Sequence, residues 1–345
     1  MRYSHVCRDT VAYELPPRVI SSEEIERRLT PLYERLRLPY GRLQLMSGIR
    51  ERRLWPEGTR PSQAAALAGS KALRAAGVDP GSVQCLLFTS VSRDMMEPAT
   101  ATFVHSLLGL SPTALVFDIS NACLGFLDGM VTLANMIELG QVDNGLVVSG
   151  ETAETLLGST LDALVNDTTL TRKTVKPAFA SLTIGSGAVA LYMRRARAEE
   201  DRPMLRCGAW RANTAHAGLC QGGQQGGDAI LMATDSEELL HRGVETAQAV
   251  WQDFTRVSGW AAADIDRFFC HQVGSAHARL LFQTLGLSPQ KNFETLSFLG
   301  NVGSVSAPIT MAMAMEEGLF SRGERGALLG IGSGINCMML GVEWR

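Results

Sequence analysis

The chain has 345 residues, 46% of them hydrophobic and 19% charged, and a formal net charge of −3. That length can bury a large core, with about two domains as the soft expectation. The near-neutral charge excludes an electrostatic footprint for nucleic acid or an anionic membrane surface, and with no run of 18 apolar residues no transmembrane segment is predicted.

The start, Met1-Arg2-Tyr3-Ser4-His5, has no apolar stretch of the kind that marks a secretory signal, so the cytoplasm is the expected compartment. In chain order, the capping box Ser21-x-x-Glu24 opens a predicted helix to about Leu36. A second helix runs from Pro61, an N1-type proline, to the C-cap Gly77. The apolar run Val83–Phe88 reads as a buried strand, followed by a polar loop from Thr89 to Glu97 and a helix from Pro98 to Leu108. Strand Ala114–Phe117 leads through Asp118-Ile119-Ser120-Asn121-Ala122 to Cys123, and a helix covers Leu124 to Leu139. Strand Leu146–Ser149 comes next.

The second half repeats this order. A helix from Glu238 to Val257 precedes strand Arg267–Cys270, a polar loop from His271 and a helix ending in Leu285-Gly286-Leu287-Ser288-Pro289. The first half ends its matching helix in Leu108-Gly109-Leu110-Ser111-Pro112. Gly300-Asn301-Val302-Gly303 opens a helix through Gly318, and strand Ala327–Ile331 follows. The shared order predicts two duplicated α/β halves, 1–200 and 201–345. Apolar strands alternating with helices predict mainly parallel, doubly covered sheets, with ligands at the loops beyond the strands' carboxyl ends. The loops holding Glu97, Cys123, His271, Asn301 and Ser333 all follow strands.

Seven cysteines, none in C-x-x-C spacing, point to neither a disulfide framework nor a zinc site. Most should be small buried apolar residues. Cys123 has two readings: a buried core residue, or a nucleophile whose thiolate is favoured by a helix N-terminus. His271 is either a strand-end histidine or a donor and acid–base partner to a carbonyl. Asn301, between glycines, is either a turn residue or an amide that orients a carbonyl. The loop Gly332-Ser333-Gly334 is either a hairpin turn or a source of a backbone N–H for an oxyanion, paired with that of Cys123. It is no phosphate-binding loop, since no lysine follows and the next segment, Asn336 to Trp344, reads as an apolar strand. Glu97 either complements a helix dipole or acts as a general base. His277, Asp94 and Asp118 read as structural, and His5, His105, His216 and His241 have no chemical neighbourhood.

Together, Asn121-Ala122-Cys123-Leu124-Gly125-Phe126, His271-Gln272, Gly300-Asn301-Val302-Gly303, Leu182–Ala188 and the terminal Gly-Ile-Gly-Ser-Gly loop resemble the ketoacyl synthase III branch of the thiolase superfamily over nearly the whole chain. Within that branch Ser92-Arg93-Asp94 followed by Glu97-Pro98, with Glu151-Thr152 and Arg53-Leu54-Trp55, is similar to the OleA family of head-to-head condensing enzymes. The resemblance implies a five-layered αβαβα thiolase fold, a homodimer and a Cys123–His271–Asn301 catalytic set. It also implies that Glu97 reaches into the partner's site as the base. The implied reaction joins two fatty acyl-CoA thioesters by non-decarboxylative Claisen condensation, giving a β-keto acid with no cofactor or metal.

Chemical need favours a base at Glu97. Malonyl extension makes its carbanion by losing CO2, whereas two unactivated acyl thioesters require removal of a weakly acidic α-proton. The alternatives are a decarboxylating synthase using malonyl-ACP, an acyltransferase to oxygen or nitrogen, and a non-catalytic partner subunit. An acyl carrier protein or downstream pathway enzymes are possible further partners. The Gly/Gln-rich stretch 213–229 matches no motif.

Overall fold

A computed structural model describes residues 1–197, 201–224 and 230–344, so part of the Gly/Gln-rich stretch, 225–229, lies outside the described residues. Nine strands form one sheet: β1 (Val6–Glu14), β2 (Cys85–Phe88), β3 (Leu115–Asp118), β4 (Asn144–Glu151), β5 (Gly187–Arg195), β6 (Pro203–Ala212), β7 (Arg267–Cys270), β8 (Arg325–Gly332) and β9 (Asn336–Trp344). Their order is β7-β8-β9-β6-β1-β5-β4-β2-β3. Outward from the centre, β1, β5, β4 and β2 are matched by β6, β9, β8 and β7. Asn292, bridged to Phe268 of β7, stands where β3 stands in the first half. β1 and β6 meet through a single register pair, Cys7 with Met204.

Seven helices complete the layers: α1 (Pro61–Ala76), α2 (Thr100–Leu108), α3 (Gly125–Glu138), α4 (Glu154–Asn166), α5 (Ser236–Ser258), α6 (Ser275–Leu285) and α7 (Ser306–Glu316). α3 and α7 are apolar on nearly every side, as central helices must be. On one side α3 packs on β4: a Cβ on Gly129 would lie 2.8 Å from a Val147 methyl. On the other, Leu124 and Leu127 press on Gly330 of β8. α1 and α2 cover the outer face of the first half with Leu86, Phe88 and Ala190. α5 and α6 cover the second half with Phe268, Leu329 and Met339.

Two expectations need correction. The sheets are not mainly parallel: only β2·β3, β2·β4 and β7·β8 run parallel, because β1, β5, β6 and β9 return antiparallel through the centre. The helix expected over 21–36 is two, Ser22–Arg28 and Thr30–Leu36. Ser21 caps the first by accepting from the Glu24 N–H at 3.0 Å, and Pro31, lacking an N–H, cannot continue it.

Candidate active site

The carboxyl ends of β3, β4, β7 and β8 open on one cavity of about 1510 Å³, lined among others by Cys123, Glu151, His271, Asn301 and Ser333. Four of the five residues singled out in the sequence are therefore brought together.

Cys123 sits on a tight turn between β3 and α3. Ala122 takes φ 45°, a left-handed conformation that is uncommon for a residue with a Cβ. The Leu124 N–H closes the turn on the Asn121 carbonyl at 2.9 Å. Gly125 is required there, since a Cβ would lie 2.2 Å from the Thr89 carbonyl oxygen. The helix N-terminus does not make Cys123 a resting thiolate. Burial pushes the thiol up to about 12, with Glu151 and then Cys220 adding to the shift. The resting group is a thiol, and attack needs a proton acceptor.

His271 follows β7 directly, and its N–H extends the pairing with β8 by donating to Leu329 O at 2.8 Å. Burial first, and His277 second, push the imidazole down to about 4, so the ring is neutral at pH 7. Its Nδ1 is buried without a partner. The next residue fixes the strand end: Gln272 Nε2 donates to Phe293 O at 2.8 Å, and its Oε1 accepts from the N–H groups of Thr295 and Leu296 at 2.9 and 2.8 Å. His277, read as structural, also lines the cavity and is held neutral by burial, down to about 4.

Asn301 is pinned by its backbone. Its N–H donates to Thr183 O at 3.0 Å and its carbonyl accepts from the Gly185 N–H at 2.8 Å. Its Oδ1 accepts from the Gly303 N–H at 3.1 Å, which leaves the Nδ2 end as the donor. Ser333 lies on the loop after β8. A Cβ on Gly332 would lie 3.6 Å from Cys123 N, so the loop passes over the cysteine turn. Asn336 Nδ2 ties the two together through Asn121 Oδ1 at 2.8 Å, and Asn121 Nδ2 continues to Asp128 Oδ2 at 2.7 Å.

Glu97 does not join them within one chain. Val91 to Met96 line the cavity, but Glu97 is exposed beyond their end and outside the lining. Met96 beside it is 92% exposed, and Val91, Leu107 and Leu115 are exposed on neighbouring elements. β3, which carries Leu115, is the edge of the sheet. Asp118 caps α2, accepting from Thr100 and Ala101 N–H groups at 2.9 and 2.8 Å, and Asp94 accepts from Ser62. Both hold backbone N–H groups, as a structural reading expects, and Asp94 also lines the cavity.

Sequence reasoning gave no role to Glu151, the last residue of β4. Its buried carboxylate accepts from the Val91 and Ser92 N–H groups at 2.9 and 3.0 Å, and from the Ser92 and Ser304 hydroxyls at 2.9 and 2.7 Å. It braces the loop leading to Glu97 against the one holding Asn301. A carboxylate ending a buried apolar strand was the available signal.

Residues 117–206 match the family model described as 3-oxoacyl-[acyl-carrier-protein (ACP)] synthase III, and 256–344 match its C-terminal model. An acyl-CoA:acyl-CoA alkyltransferase of Shewanella oneidensis is 41% identical, with 100% of both chains covered. One from Xanthomonas campestris is 37% identical, again over 100% of both. Crystal structures of Xanthomonas campestris OleA superpose with a TM-score of 0.95 at 37% identity, covering 100% of this chain and 98% of that one. They include forms with a cysteine, a histidine or a glutamate replaced, and one with bound lauric acid and lauroyl-CoA. The replaced glutamate there precedes the replaced cysteine by the same number of residues as Glu97 precedes Cys123.

Proposed function

The chain belongs to the acyl-CoA:acyl-CoA alkyltransferase family of thiolase-fold condensing enzymes, and on that premise we propose how its own residues join two fatty acyl-CoA molecules. His271, neutral at pH 7, takes the proton of the Cys123 thiol as sulfur attacks the first thioester carbonyl. The N–H groups of Cys123 and Ser333 hold the oxyanion. The C–S bond to CoA breaks, the CoA sulfur leaves with the proton, and an acyl-Cys123 thioester remains. The second acyl-CoA places its carbonyl oxygen between His271 and the Asn301 Nδ2, which stabilise an enolate. Glu97 of the partner subunit removes the α-proton. The enolate carbon then attacks acyl-Cys123, the C–S bond breaks, and the Cys123 sulfur leaves and takes up the proton that Glu97 removed, giving a β-ketoacyl-CoA; water then adds to its thioester carbonyl and releases CoA and a β-keto acid.

The observation that carries this reading is the convergence of Cys123, His271, Asn301 and Ser333 on one largely apolar cavity. The exposed position of Glu97 beside the exposed Met96, outside the lining of its own cavity, supports its use in trans across a homodimer. No helix among the described residues is long and apolar enough to cross a membrane. With the described cysteines as free thiols and CoA esters as substrates, we place the enzyme in the cytoplasm. The steps draw on groups of the two subunits, the two thioesters and water.

Glu97→Gln separates the two half-reactions. Intact-protein mass spectrometry should still find acylated Cys123, while β-keto acid formation falls roughly 100-fold or more. Condensation at the wild-type rate in this variant would remove Glu97 from the mechanism.

A further inference from the structure

The two backbone donors assigned to the oxyanion sit on separate loops. Ser333 is at the tip of the hairpin between β8 and β9, which the register pair Gly332–Asn336 closes. Cys123 is on the turn between β3 and α3. The hairpin crosses that turn, since a Cβ on Gly332 would lie 3.6 Å from Cys123 N. Ala122, with φ 45°, precedes the cysteine. A residue with a Cβ keeps that conformation only where its surroundings hold it.

Asn121 is where those surroundings meet. Its Oδ1 accepts from Asn336 Nδ2 at 2.8 Å, a contact between residues 215 apart in sequence. Its Nδ2 donates to Asp128 Oδ2 at 2.7 Å, in the first turn of α3. A carboxylate only accepts, so Asp128 fixes which end of the Asn121 amide faces Asn336. The Asn121 carbonyl accepts from the Leu124 N–H at 2.9 Å, closing the turn around Cys123. One residue is thus bonded to the cysteine turn, to the helix that follows it and to the hairpin that carries Ser333.

We propose that Asn121 is a positioning residue that sets the separation of the Cys123 and Ser333 N–H groups, and so the fit of the oxyanion between them. The inference rests on the oxyanion role given to those groups above. Such donors act at about 2.7–3.1 Å from the oxygen, and losing one costs roughly 100- to 1000-fold in rate. The same pair serves acylation and the attack on acyl-Cys123, so Asn121 should matter to both steps, whereas Glu97 matters only to the second.

The test measures Cys123 acylation by lauroyl-CoA over a range of concentrations, with rapid quenching and intact-protein mass spectrometry. Asn121→Ala should lower the maximal rate at least about tenfold and leave the half-saturating concentration within about twofold of wild type. Asn336→Ala breaks the same bond and should do the same. The double variant should be no slower than the slower single one, because both act through one contact. Asp128→Asn keeps an acceptor for Asn121 and should stay near wild type, while Asp128→Ala should fall with the others. A wild-type maximal rate in Asn121→Ala, or losses that multiply in the double variant, would overturn the assignment. Failure of the wild-type chain to acylate at Cys123 would instead refute the acyl-Cys123 reading, a distinguishable result.

Discussion

At the scale of single residues, the two groups that open the proposed reaction both rest uncharged. Cys123 is a thiol because burial and Glu151 oppose a second negative charge, and His271 is a neutral imidazole because burial and His277 oppose a positive one. Proton transfer between them therefore belongs to the acylation step. The acid limb of the acylation rate should fall near pH 4, not near the ordinary histidine value of 6.5, and stopped-flow acylation across pH 3.5–8 reads it directly. Stability carries the same signature. The folded imidazoles titrate below their unfolded value, so their contribution is present above about pH 6.5 and is lost as pH falls toward 4. His277→Asn should flatten that part of the denaturation-midpoint profile, and a slope equal to wild type would show that His277 titrates elsewhere. Cys123 and His271 were legible in the sequence because each lies in a short motif at a strand end, and Asn301 because it stands between glycines, although its loop follows the short helix Leu296–Leu299 and not a strand as expected. The protonation state of Cys123 was not legible: the helix start favours thiolate, but the desolvation that outweighs it comes from packing by distant segments.

At the scale of elements, Glu151 shows how much of the site depends on a brace. Its carboxylate gathers donors from the loop after β2 and from the start of α7, segments more than 200 residues apart in sequence. Glu151→Ala would strand those buried donors, costing about 3 kcal/mol or more in chemical denaturation, and should slow condensation by misplacing the Asn301 loop. Wild-type stability in this variant would show that the brace is dispensable. Strands β2, β3, β4, β7, β8 and β9 were legible as apolar runs between turn signals. β1, β5 and β6 were not, because they sit in the antiparallel centre, outside the strand–helix alternation that guided the reading. β1 also buries Arg8 and Asp9, which breaks the apolar pattern.

At the scale of the molecule, the duplicated strand order sets the geometry. We propose a division at 1–200 and 201–345, which assigns the nucleophile to one half and His271 with Asn301 to the other. In the proposed mechanism the base comes from the partner subunit, from neither half of the same chain. Mixed dimers test this: Glu97→Gln and Cys123→Ala chains, each inactive alone, should regain part of the condensing activity when co-expressed, since one of the two sites is then complete. If Glu97 served its own subunit, the mixture would stay inactive. The family resemblance implied both the base and its use in trans; what the fold adds is that Glu97 stands exposed, outside the lining of its own cavity.

The most direct measurement supplies long-chain acyl-CoA as the sole substrate to the purified wild-type enzyme and follows the carbon products. A β-keto acid, or the ketone it becomes on losing CO2, should form with no malonyl-ACP present. No condensed product until malonyl-ACP is added would contradict proton abstraction as the source of the carbanion.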